Sequence, residues 1–220
     1  MSTNTDSLAG QVRAMQAAMK AKVPAARLAT FAADQQRMER QGVPDRIAAP
    51  GTPMRDGALL DVDGNDTTLT AARAGGPAVV VFYRGAWCPY CNLALRAYEQ
   101  ALVPSLNESG VALIAISPQK PDGTLSIAER NALTYTVLSD PGNSTAGALG
   151  IVTEVSPEAR GAQAETGVDV APTNADGTYG IPMPTVVVLD ADGVIGWIDV
   201  HPNYATRSEP ADILAAVGEL

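Results

Sequence analysis

Cys88 and Cys91 are the only thiols in a chain of 220 residues, and they stand three positions apart. A disulfide between them closes almost no loop. It removes little entropy from the unfolded chain, so a structural crosslink is a poor explanation of the pair. The single histidine, His201, is far along the chain, and a zinc site needs about four ligands. No metal or other cofactor is expected. Reversible thiol–disulfide chemistry suits the spacing, because one helical turn brings the two sulfurs within bonding reach.

Such chemistry needs a thiolate, and the flanking sequence supplies the means to stabilise one. Val80-Val81-Phe82-Tyr83-Arg84-Gly85-Ala86-Trp87-Cys88-Pro89-Tyr90-Cys91 reads as a buried strand, a loop and the start of a helix. Pro89 fits the first helical position, where its missing N–H costs nothing. Cys88 then lies near the N-cap and Cys91 in the first turn, beside free N–H groups and the positive end of the helix dipole. Arg84 adds a cation. Tyr83 and Arg84 stand at the strand end above the helix terminus. Trp87 and Tyr90 flank the thiols, either shaping a substrate mouth or simply packing.

The rest of the chain must hold this junction in place. Residues 7–41 read as two Ala-rich helices separated at Pro24, with Leu8, Val12, Met15 and Met19 on one stripe and Leu28, Phe31 and Met38 on another. Residues 1–42 are expected to be a helical extension serving as a packing element or a dimer contact, and 43–220 a single domain. Asp63-Gly64-Asn65 marks a hairpin turn. The acidic residues around it lack the spacing and closing glutamate of a calcium loop. From residue 78 onward apolar strands alternate with helices: strands near 78–82, 111–116, 136–138, 185–189 and 194–200, and helices near 88–102, 124–132, 143–149 and 211–217. That alternation implies an α/β sheet with helices on both faces, made mixed by the final hairpin. Residues 152–182 are rich in Gly and Pro and read as a long irregular insertion, a candidate for a pocket or dimer contact.

Phe82-Tyr83-Arg84 through Cys91, Ala115-Ile116-Ser117-Pro118-Gln119, Leu138 through Asn143 and Val188 through Gly193 together resemble the peroxiredoxin-like branch of the alkyl hydroperoxide reductase/thiol-specific antioxidant family. The resemblance covers roughly residues 43–218. It implies a thioredoxin-like fold with a mixed central sheet flanked by helices. It also implies a thiol peroxidase that acts on hydrogen peroxide or alkyl hydroperoxides and is reset by a thioredoxin-type or other dithiol. In the family motif Pro-x-x-x-Thr-x-x-Cys the proline position falls on Arg84, the threonine on Cys88 and the peroxidatic cysteine on Cys91. The resemblance therefore implies attack by Cys91, resolution by Cys88 and charge stabilisation by Arg84. The Trp-Cys-Pro-Tyr-Cys run, however, looks like the dithiol of thioredoxin. That likeness implies a protein disulfide oxidoreductase with Cys88 as nucleophile. A redox sensor or binding module without catalysis is the third reading. Thioredoxin-like folds place a cis-proline opposite the cysteines, which draws in Pro184 and Thr185 as substrate-groove residues. A trans-proline that merely starts a strand is the alternative.

Weaker candidates remain. Arg130 and Arg207 are each possible second arginines, Glu99 a possible proton relay, and His201 a loop residue. A formal charge of −9 disfavours nucleic acid and anionic membrane as partners. The apolar runs are too short to span a bilayer, and the first residues show no signal-peptide pattern. A cytoplasmic enzyme, possible as a homodimer, is the expectation.

Overall fold

A computed structural model describes residues 7–121 and 131–220. It begins with two helices, α1 (Leu8–Lys20) and α2 (Ala25–Gln41), parted at Pro24. A hairpin follows, β1 (Ala58–Leu60) and β2 (Asp66–Thr68), with a single turn of helix α3 (Leu69–Ala72). The Asp61 carboxylate accepts from the amides of Asp63 and Asn65 at 2.9 and 2.8 Å, so this loop is an Asx-type turn.

The central elements are β3 (Ala78–Phe82), α4 (Pro89–Ala101), α5 (Val103–Glu108), β4 (Ala112–Ser117) and β5 (Thr136–Ser139). Next come α6 (Ser144–Leu149), β6 (Val152–Thr153), α7 (Pro157–Ala164) and β7 (Ile181–Pro182). The chain closes with β8 (Thr185–Leu189), β9 (Ile195–Val200) and α8 (Pro210–Val217). Most of the helix expected at 124–132, and Arg130 with it, lies outside the described residues.

Seven strands form one mixed sheet in the order β2-β1-β5-β4-β3-β8-β9. β3 runs parallel to β4 and antiparallel to β8. Both strands are buried along their whole length, which is why they read as unbroken apolar runs. Alternate residues serve two cores. Val79, Val81, Val186 and Val188 face α4, α8 and the N-terminal helices, meeting Leu95, Tyr98, Ile213, Leu8 and Met38. Val80, Phe82, Val187 and Leu189 face the other way, against Leu59, Leu69 and Leu149. The Asp140 carboxylate accepts from the amides of Thr145 and Ala146 at 3.0 Å, anchoring α6 at the end of β5.

Two expectations need correction. Residues 152–182 are not structureless. Ser156 caps α7 by accepting from the Ala159 amide at 3.2 Å, and β6 pairs with β7. This segment is also tied to α2: Arg27 pairs with Glu165 at 2.9 Å, and the Ser156 amide donates to Asp34 at 3.0 Å. The second correction concerns Pro184. No peptide bond among the described residues is cis, so the trans-proline reading holds. Because Phe82 pairs with Thr185, Pro184 still stands at the sheet end where β3 hands over to the dithiol loop. Among the described residues no helix is long and apolar enough to cross a membrane.

Candidate active site

β3 delivers the chain into a tight loop, Tyr83 to Trp87, before α4 begins. Gly85 is essential to that loop. Its φ is +142°, and a Cβ there would stand 2.5 Å from the Trp87 indole nitrogen. Gln119 Oε1 accepts from the Ala86 amide at 2.7 Å, and Asn92 Nδ2 donates to the Ala86 carbonyl at 2.8 Å. Asn92 is in turn held by Asn131 at 3.1 Å, and Asn131 by Arg96 at 2.8 Å. These bonds fix the loop from the β4 end and from α4 itself.

Cys88 is the N-cap residue of α4, with Pro89 at the first helical position. Both cysteines are reduced and buried. Burial alone would raise the Cys88 thiol. The hydrogen bond from the Cys91 thiol, then the charges of Arg84 and Arg207, outweigh it and hold Cys88 well below the ordinary thiol range. Cys91 goes the other way. Burial, its hydrogen bond to Cys88 and the neighbouring thiolate charge raise it against the pull of the two arginines. The two shifts run in opposite directions, which favours the negative charge on Cys88 over Cys91.

Arg84 Nη1 lies 3.8 Å from Cys88 Sγ. Its guanidinium is clamped between two rings, 4.0 Å from the Tyr204 centroid and 4.8 Å from that of Trp87. It is 3% exposed, and among the described residues its Nε and Nη2 have no hydrogen-bond partner. Arg207 Nη2 donates to Cys91 Sγ at 3.2 Å, while its Nη1 is held by the Tyr204 carbonyl at 2.6 Å. The thiolate charge nearby holds Arg207 in its cationic form against the effect of burial. Each sulfur thus has its own guanidinium.

A cavity of about 440 Å³ closes on this site. Arg84, Trp87, Cys88 and Tyr90 line it, as does Tyr204, whose ring lies 6.1 Å from that of Tyr90. Cys91 does not line it and sits behind, in the core. Tyr83 is buried in the same core, and Thr185 turns its hydroxyl to the Met183 carbonyl at 2.9 Å. Neither of these, nor Pro184, lines the cavity. Glu99 is a structural clamp, accepting from the amide and hydroxyl of Thr134 at 2.8 Å. His201 bonds Asp199 at 2.9 Å and Thr206 at 2.8 Å, bracing the loop that carries Tyr204 and Arg207.

Tyr204 is a site residue that sequence reasoning did not name, and Arg207 was only one of two possible second arginines. Arg207 is 116 residues from the cysteine it touches, in a loop without periodicity. The available signal was topological: the loop follows β9, which lies beside β8 in the sheet.

A buried dithiol at a strand-to-helix junction, backed by a mixed sheet, is an arrangement suited to thiol redox chemistry. Residues 50–198 match the AhpC/TSA family, and the chain belongs to it. It is 30% identical to peroxiredoxin Bcp of Escherichia coli K12 over 99 residues, 45% of this chain and 62% of that protein. It is 34% identical to the chloroplastic peroxiredoxin Q of Gentiana triflora over 85 residues, 39% of this chain and 38% of the relative. The chain thus spans less than two thirds of the length of these relatives. Among solved structures, reduced Prx3 of Vibrio vulnificus in complex with H2O2 covers 78% of this chain with a TM-score of 0.62 at 19% identity. A thiol peroxidase from Chromobacterium violaceum covers 79% with a TM-score of 0.58 at 15% identity. These likenesses establish the thioredoxin-like fold of peroxiredoxins.

Proposed function

We propose that the protein is a thiol peroxidase in which Cys88 attacks the peroxide and Cys91 resolves. One observation carries this reading: Cys88, the N-cap sulfur beside Arg84, lines a cavity of small-molecule size, whereas Cys91 does not line it, and their neighbours lower the Cys88 thiol and raise that of Cys91. This reverses the order of attack implied by the family motif.

The Cys88 thiolate attacks the distal peroxide oxygen. The S–O bond forms as the O–O bond breaks, leaving a sulfenic acid on Cys88 and an alkoxide or hydroxide that takes a proton and departs as alcohol or water. Arg84, whose Nη1 lies beside the sulfur and whose Nε and Nη2 have no partner among the described residues, supports the charge that develops on the leaving oxygen. The Cys91 thiol then attacks the Cys88 sulfenic sulfur. A Cys88–Cys91 disulfide forms, and the hydroxyl leaves as water with the thiol proton. An external dithiol restores both thiols and is itself oxidised. Because Cys88 is 0% exposed, a thioredoxin-type protein needs the buried sulfur to become accessible. A cytoplasmic setting supplies such reductants.

The 0% exposure of Cys88 favours a small peroxide over a folded protein disulfide as the oxidising substrate. The test is a single turnover. Reduced protein given one equivalent of hydroperoxide is expected to lose both thiols, gain one intramolecular disulfide and release one equivalent of alcohol and one of water, or two of water from hydrogen peroxide. A protein that leaves the peroxide untouched but reduces insulin disulfides is a disulfide oxidoreductase instead.

A further inference from the structure

We infer that the N-terminal helix pair is the specificity wall of this site, selecting an organic hydroperoxide with a bulky apolar body. The inference rests on the thiol peroxidase reading and goes beyond it to residues outside the segment that matches the family, which begins at residue 50.

The cavity above Cys88 holds about 440 Å³, within the range of pockets that take ligands much larger than hydrogen peroxide. One end is chemical, formed by Cys88 and Arg84. The other end is apolar and comes from the first forty residues. Met19 lies near the end of α1 and Val23 in the turn after it, while Leu28 and Phe31 project from α2. Positions 28, 31, 32 and 35 of α2 all line the cavity, the i, i+3, i+4, i+7 pattern of one helix face. These side chains are only half-buried or exposed because they face an open chamber rather than a packed core.

The wall is held in register with the chemistry. Tyr204, whose ring stacks on Arg84, donates its hydroxyl to the Phe31 carbonyl at 3.2 Å. Glu209 accepts from the amides of Leu8 and Ala9 at 2.9 and 2.8 Å, pinning the start of α1 to the loop that carries Arg207. Arg27 and Glu165 join α2 to the segment that contributes Val168 to the same chamber. A hydroperoxide that presents its terminal oxygen to Cys88 Sγ from the cavity side extends its body toward Leu28 and Phe31. Hydrogen peroxide has no body to place there and gains nothing from this wall.

The test compares cumene hydroperoxide with hydrogen peroxide. Leu28→Trp adds bulk to the helix wall of the chamber at a position outside the Cys88–Arg84 end. It is expected to lower kcat/KM for cumene hydroperoxide, relative to that for hydrogen peroxide, roughly tenfold or more. Leu28→Met, which conserves volume, should keep the wild-type ratio. A readout independent of turnover is calorimetric titration with cumyl alcohol. Wild type should bind it, and Leu28→Trp should bind it at least about tenfold more weakly. An unchanged ratio in Leu28→Trp overturns the inference, as does equal binding of cumyl alcohol by both proteins. If wild type consumes hydrogen peroxide but shows no selectivity through this wall, only the inference falls. If it consumes neither peroxide, the peroxidase reading falls as well.

Discussion

Replacing Arg84 with glutamine should raise the Cys88 pKa by one unit or more. The guanidinium stands 3.8 Å from the sulfur. Two unit charges at that distance interact by about 4 kcal/mol at an effective dielectric of about 20, and by about 1 kcal/mol in bulk water. At about 1.4 kcal/mol per pKa unit, the shift is about one to three units. The site is buried, which argues for the upper part of that range. Arg207 remains near both sulfurs, which argues for the lower part. The glutamine also loses the stacking on Tyr204 and Trp87, so the loop itself needs a control. Arg84→Lys supplies it: the charge stays but the planar fork and its ring contacts go. The assay is the rate of iodoacetamide alkylation at Cys88 against pH, with the modified peptide identified by mass spectrometry. Wild type should reach its plateau below the ordinary thiol range. Arg84→Gln should shift the midpoint upward by at least about one unit, with Arg84→Lys between the two. An unmoved midpoint in Arg84→Gln refutes the reasoning, because the nearest charge would then not be holding the thiolate.

Other perturbations test other parts of the structure. Gly85→Ala places a Cβ against the Trp87 indole at a positive φ, so it should destabilise the protein by about 1–3 kcal/mol, read from urea midpoints. Cys88, held low in the folded state, contributes stability that is present above its unfolded pKa and lost as pH falls through the folded value. The reduced protein should therefore gain stability as pH rises toward about 8.5, the unfolded cysteine value, and Cys88→Ser should flatten that rise. Cys91, held high, acts in the opposite sense, so stability should fall again at higher pH. Glu209→Ala should cost about 1 kcal/mol by leaving the Leu8 and Ala9 amides without their acceptor, with faster hydrogen exchange confined chiefly to α1.

The parts of the fold readable in advance were those with a strong local signal. β3 and β8 are apolar on both faces, and Pro89 marks the first residue of α4. Cys88, Arg84, Trp87 and Tyr90 were legible because they share one junction. Arg207 and Tyr204 were not, because only the sheet order brings their loop to α4. The N-terminal helices show a different limit. The spacing of Leu28 and Phe31 reveals an apolar face but cannot distinguish a core-facing stripe from a cavity wall. In residues 152–182 the density of Gly and Pro concealed a genuine helix start, Ser156-Pro157, with serine as cap and proline at the first helical position. The motif alignment implied an order of the two thiols by position; the order proposed above rests instead on Arg84 and on which sulfur lines the cavity.

The order of attack is the central claim, and sulfenic acid trapping tests it most directly. Reduced Cys91→Ser and Cys88→Ser proteins are each given one equivalent of hydroperoxide in the presence of dimedone, and the adducts are located by mass spectrometry. Cys91→Ser should accumulate the adduct on Cys88 rapidly, and Cys88→Ser should form none at a comparable rate. Rapid adduct formation on Cys91 in Cys88→Ser, with none on Cys88 in Cys91→Ser, would contradict the account.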